Sequence, residues 1–174
     1  PKRLKQFPKS RFLFAYSGHG FNEGKKGYLV KSNAKSLTDK GRSMNLKHLK
    51  GYIDEEVDAG HHILVLLNAC YSGAFLKRSY SGKPSLSREP VAHAITAGGT
   101  NDLAWHDPDN GTGSIFFEKF FAGLNERADI YPKGKGDGVI TVSELFTYLD
   151  GEIKISTDQH QNPNYGDISK DGSN

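Results

Sequence analysis

One cysteine, one methionine and one tryptophan are all that 174 residues hold of these types. A single cysteine cannot close an internal disulfide, so a reducing compartment, and with it the cytoplasm, is the expected setting. Long apolar runs are missing as well. The longest, Ile63 to Leu67, is far short of the roughly 20 residues that cross a bilayer, which argues against a membrane partner. Lys2, Arg3 and Lys5 lead into no signal-peptide core. Nor does one sign of charge dominate: 23 Lys and Arg face 20 Asp and Glu, and a net +3 is too small to argue for nucleic acid. Cofactor signatures are lacking too. The histidines have no metal-ligand spacing, and Gly98-Gly99 is followed by no GK[ST], so neither metal nor cofactor is expected. What remains, with 36% hydrophobic residues and a mean hydropathy of −0.60, is a soluble globular chain of one domain, 1–174. It opens on Pro1, and its only methionine is Met44, which points to a processed or excised piece of a longer protein.

Several segments carry clear local signals. Arg11 to Tyr16 (RFLFAY) is a short apolar and aromatic run ending in Ser17-Gly18-His19-Gly20, the pattern of a buried strand entering a glycine-flanked turn. Tyr28-Leu29-Val30 predicts a small hairpin strand. Leu46, Leu49, Ile53 and Val57 recur at helical spacing between an Asn45 N-cap and a Gly60 stop, predicting a helix over Leu46–Ala59. His62 to Ala69 (HILVLLNA) is continuously apolar, as in a central strand covered on both faces. Residues 76–90 form a polar, basic linker, and Val91 to Ala97 is a third strand. Ser114 caps an apolar helix carrying Ile115, Phe116, Phe120, Phe121 and Leu124. Thr141 and Glu144 make a capping box for a last helix, and the tail from Ser156 looks irregular. Lys133 to Glu144 has an outline of an EF-hand loop, but Lys133 and Lys135 would stand at ligand positions and repel calcium. The order describes an α/β domain with a mainly parallel sheet.

In such sheets functional groups gather at the carboxyl ends of the strands. His19 follows the first strand and Cys70 the second, 51 positions later. A thiol attacks as thiolate, and an imidazole or a helix N-terminus beside it lowers its pKa. Cys70 would have both if the residues after Gly73 turn into helix. The N–H groups of Gly20 and Cys70 are candidates for holding an oxyanion. Singly, a cysteine ending an apolar strand is most often a small buried hydrophobe. The specific signal is SGHG after one strand, ACYSG after the next, and the interval between them.

That combination resembles the caspase-like cysteine peptidases of clan CD, the caspase, metacaspase and bacterial orthocaspase group. YSGHG is similar to the family's histidine turn, HILVLLNACYSG to its nucleophile strand, and AITAGGTNDLAW to the start of its small-subunit half. GTGSIFFEKFFAGL and DGVITVSELFTYL resemble two later helices, and QNPNYGD the C-terminal turn. The interval of about fifty residues is itself a feature of the resemblance. It implies a caspase-haemoglobinase-like three-layer α/β sandwich, with 1–75 as the large-subunit part, 76–90 as linker and 91–174 as the small-subunit part. It implies a cysteine endopeptidase acting on protein or peptide substrates, with His19 as general acid and base, Cys70 as nucleophile, and Gly20 and Cys70 at the oxyanion.

The chain departs from the family at two points. Metacaspases carry Asp two residues before the cysteine to hold a basic P1 side chain; this chain has Asn68. An amide there forgoes a charge-assisted hydrogen bond worth roughly 1.5–3 kcal/mol. Ser17 aligns with a pocket serine, Asp102 lies in a loop able to restore an acidic pocket, and Trp105 falls where relatives line the cleft with aromatics. A basic P1 residue is the resulting expectation. Second, the family has two strands before the histidine strand, one of which pairs with it, while ten residues precede Arg11. The expected partner is therefore an absent N-terminal segment or a regulatory polypeptide. Two alternatives stand beside the peptidase: a catalytically silent caspase-like interaction module, and an asparaginyl peptidase of the legumain type, which the absent secretory segment disfavours.

Overall fold

The structure, a computed structural model, describes residues 7, 9–70, 72–76, 90–99 and 113–168. Its strands are β1 (Arg11–Ser17), β2 (Gly20–Glu23), β3 (Lys26–Val30), β4 (Ser43–Asn45), β5 (His62–Asn68), β6 (Ala92–Thr96) and β7 (Asn164–Asp167). Its α-helices are α1 (Leu46–Asp58), α2 (Ile115–Ala122) and α3 (Val142–Ser156). The main sheet has the order β1-β5-β6-β7, with β1, β5 and β6 parallel and β7 antiparallel. β2, β3 and β4 form a separate antiparallel sheet that leads directly into α1.

The continuous apolar run of β5 has the reason inferred from it: both faces are covered. Ile63, Val65, Leu67 and Ala69 pack with Leu46, Leu49 and Ile53 of α1. Leu66 points the other way, into Ile115, Phe116 and Phe120 of α2 and Leu145, Leu149 and Ile153 of α3. The chain is thus a mixed α/β structure with helices on both sides of a mainly parallel sheet. No described helix is long and apolar enough to cross a membrane.

Local signals set the helix ends. Asn45 Oδ1 accepts from Lys47 N–H at 2.8 Å, and Gly60 adopts φ +95°, where a side chain would be strained. Thr141 Oγ1 accepts from Glu144 N–H at 3.2 Å while Glu144 Oε2 accepts from Thr141 N–H at 2.8 Å. Glu144 is therefore occupied as a cap, in the segment with an EF-hand outline. Asp129 accepts from the N–H groups of Asp137 and Gly138, so that loop is held by backbone donors.

Two expectations change. The tail beyond Ser156 is not wholly irregular, because Asn164–Asp167 closes the sheet as β7. Its NYGD sequence has no strand alternation. It becomes a strand because β6 has an open edge there and because Tyr165 is buried, stacked on Phe146 with its hydroxyl 3.1 Å from His93 Nδ1. The apolar helix after Ser114 ends at Ala122 and gives way to a wider π-type turn over Gly123–Arg127. Phe121, within α2, and Leu124, in the turn, face solvent. Of the linker expected at 76–90, residues 77–89 lie outside the described residues.

Two measurements check this account. Thr141→Ala is expected to cost about 1 kcal/mol, lowering the thermal midpoint by about 2–4 °C; an unchanged midpoint would contradict the cap. Burial, only partly opposed by Asp167, holds the His93 pKa below its ordinary 6.5. The neutral ring is thus favoured on folding, its contribution is complete above that value, and it is lost as pH falls below it. Denaturant midpoints should fall on acidification from about pH 7 to about pH 5, and less steeply in His93→Gln.

Candidate active site

The site is built by one strand pairing. β1 lies against β5 with Arg11 opposite His62 and Ser17 opposite Asn68, a constant offset of 51. His19 and Cys70 are 51 apart, so both stand two positions beyond the last pair, at the same level past the sheet. Neighbouring strands run about 4.8 Å apart. Gly18 N–H extends the ladder, donating to Asn68 C=O at 3.1 Å.

The SGHG turn is shaped by what its glycines leave room for. A Cβ on Gly18 would lie 2.7 Å from the Tyr16 hydroxyl. A Cβ on Gly20 would overlap the carbonyl oxygen of Cys70 and press on Ala69 Cβ and Tyr28 C=O, both 3.4 Å away. Gly20 thus sits directly on the backbone just beyond β5. His19 C=O accepts from Val30 N–H at 2.9 Å, and the Tyr16 hydroxyl lies 2.9 Å from that carbonyl and 2.7 Å from Val30 C=O. Burial raises the Tyr16 pKa, outweighing the opposing bond to Val30, so the phenol stays a proton donor. The backbone on both sides of His19 is pinned while its side chain is exposed.

Cys70 is half-buried, and among the described residues no hydrogen bond joins its thiol to the His19 imidazole. After it, Ser72 N–H closes a turn on Ala69 C=O, and Ser72–Phe75 forms a single 3-10 turn. The expected helix after Gly73 is therefore not formed over the described residues. One 3-10 turn aligns too few peptide dipoles to act as a helix N-terminus.

Asn68 and Ser17 are brought together as their register requires. Asn68 is 2% exposed, and its Nδ2 donates to Ser17 Oγ at 3.0 Å and to Ser114 Oγ at 2.6 Å. Ser114 is also the N-cap of α2, accepting from Phe117 N–H at 3.3 Å. One amide therefore ties the tips of β1 and β5 to the start of α2. Asn68 Oδ1 is buried without a hydrogen-bond partner among the described residues, a condition that costs roughly 1–3 kcal/mol. Asp102 and Trp105 lie outside the described residues.

Two residues of this site escaped the sequence reading. Tyr16 looked like the last aromatic of an apolar strand, and Ser114 like a helix cap. The only available signal for Tyr16 was a hydroxyl placed two residues before a glycine-flanked turn. For Ser114 there was none, since its second partner is 46 residues away. On α1, Asp54 pairs with Lys50, both side chains largely covered, and Glu56 lies 3.8 Å from His61.

Gly20→Ala is expected to destabilise the fold by about 1–3 kcal/mol, read from denaturant unfolding, because the methyl group meets backbone that cannot rotate away. A neutral effect would show that the His19 turn does not rest on Cys70. Searched against protein-family models, the sequence matches none, and no curated protein matches it; the functional reading therefore rests on the geometry of this strand-end site.

Proposed function

We propose that this chain is the caspase-like part of a cysteine endopeptidase. The observation that supports the reading is the β1–β5 register: His19 and Cys70 each follow by two residues the last pair of two adjacent parallel strands, Ser17 and Asn68, and Gly20 lies against the Cys70 carbonyl. In this reading the Cys70 thiolate attacks the scissile carbonyl carbon, and the N–H groups of Gly20 and Cys70 receive the oxyanion. The tetrahedral adduct collapses as protonated His19 gives its proton to the leaving amine. Water, deprotonated by His19, then hydrolyses the thioester and frees Cys70. The lone thiol stays active in a reducing compartment such as the cytoplasm.

The substrate side chain at P1 is basic. Asn68 Oδ1, buried and unpartnered beside Ser17 and Ser114, is an acceptor waiting for a donor. Arg and Lys supply donors only. A second reading, a silent interaction module, is favoured by the absence of a thiol–imidazole bond and by the outer side of β1, which pairs with no strand among the described residues.

Cys70→Ala should abolish turnover of Arg- or Lys-containing peptides while leaving the unfolding midpoint in place. An electrophilic peptide probe should label Cys70 in the wild type and not in His19→Ala. Labelling that ignores His19, or none at all, favours the silent module. Asn68→Asp should raise kcat/KM for a P1-Arg peptide by roughly tenfold to a hundredfold, the worth of one charge-assisted hydrogen bond. No gain would remove position 68 from the P1 pocket.

A further inference from the structure

The positive charge of the chain is concentrated. Residues 20–50 carry eight Lys and Arg and two acidic side chains, a balance of +6 against +3 for the whole sequence, so the rest is net negative. That segment is the β2–β4 sheet with the first turn of α1, and these elements enclose a cleft of about 650 Å³. Lys25 and Lys26 reach it from the β2–β3 hairpin, Lys40 from the 3-10 turn before β4, and Lys47 and Lys50 from α1. Neither His19 nor Cys70 lines it.

Carboxylates neutralise two of the five: Lys40 pairs with Glu23, and Lys50 with Asp54. Lys25, Lys26 and Lys47 are exposed and have no ion-pair partner among the described residues. The first turn of α1 contains no acidic residue. Three like charges from two separate elements thus share one concavity, an arrangement that repels itself until an anion enters.

The lining indicates which anion. Lysine ammonium groups are compact point charges suited to phosphate oxygens, and the lining holds no arginine fork of the kind that grips a carboxylate or a phosphate at two points. The volume falls in the range of small-ligand sites, and the cations come from separate elements of the fold. We propose that this cleft binds a compact polyanion bearing two or more phosphate groups. The inference is independent of the peptidase reading.

Inorganic tripolyphosphate is the probe, titrated calorimetrically into the full chain at low and at physiological ionic strength, with citrate as the carboxylate comparison. Saturable one-to-one binding that exceeds citrate binding is expected. The triple variant Lys25→Gln, Lys26→Gln, Lys47→Gln should weaken it roughly tenfold or more, with an unfolding midpoint no lower than that of the wild type. A matched variant, Lys31→Gln, Lys35→Gln, Lys135→Gln, removes the same charge outside the cleft and should bind as the wild type does. Absent saturation, equal losses in the two variants, or citrate binding as tight as tripolyphosphate would each overturn the proposal.

Discussion

The parallel pairing of β1 with β5 is the constraint on which the rest depends. Phe12, Phe14 and Tyr16 turn inward against the α1 side of the core, while Arg11, Leu13, Ala15 and Ser17 face outward. Slipping the register by one residue would exchange these sets, exposing three aromatic rings and pushing an arginine toward the apolar layer. The alternation in the seven residues of β1 therefore sets the height at which the chain leaves the strand toward His19. The same ladder sets the height of Cys70, because β5 is locked from both faces and on both edges.

From that register the two faces of the sheet divide the work. On the α1 side, the turn after β1 folds back into β2 and rests its Gly20 on the Cys70 carbonyl, with Tyr16 pinning the His19 backbone. On the α2 side, Ser17 and Asn68 meet Ser114, so the start of α2 reports directly on the strand tips. A buried acceptor left unpaired at that junction is expensive in a folded core.

Much of this was legible in the order of residues. The caps at Asn45 and Thr141, the stop at Gly60 and the doubly covered strand at His62–Asn68 are signalled by neighbours within a few positions. Helix caps and apolar periodicity are short-range effects, and short windows contain them. The site was half legible: an interval of 51 residues pointed to His19 and Cys70, and it is also the β1–β5 register. The lysine-lined cleft was hidden by averaging, since a net +3 gives no hint that +6 sits within residues 20–50.

The amino-acid sequence by itself determined the α/β alternation, the helix ends and the glycines that free the histidine turn, because each depends on backbone preference and local burial. Only the tertiary structure decided that NYGD is a strand, that one amide joins Ser17 to Ser114, that the residues after Cys70 make a 3-10 turn, and that lysines from separate elements face one cleft. Those outcomes depend on partners tens of residues away. The hydrogen bond or charge that stabilises each one exists only after the chain has brought the partner there.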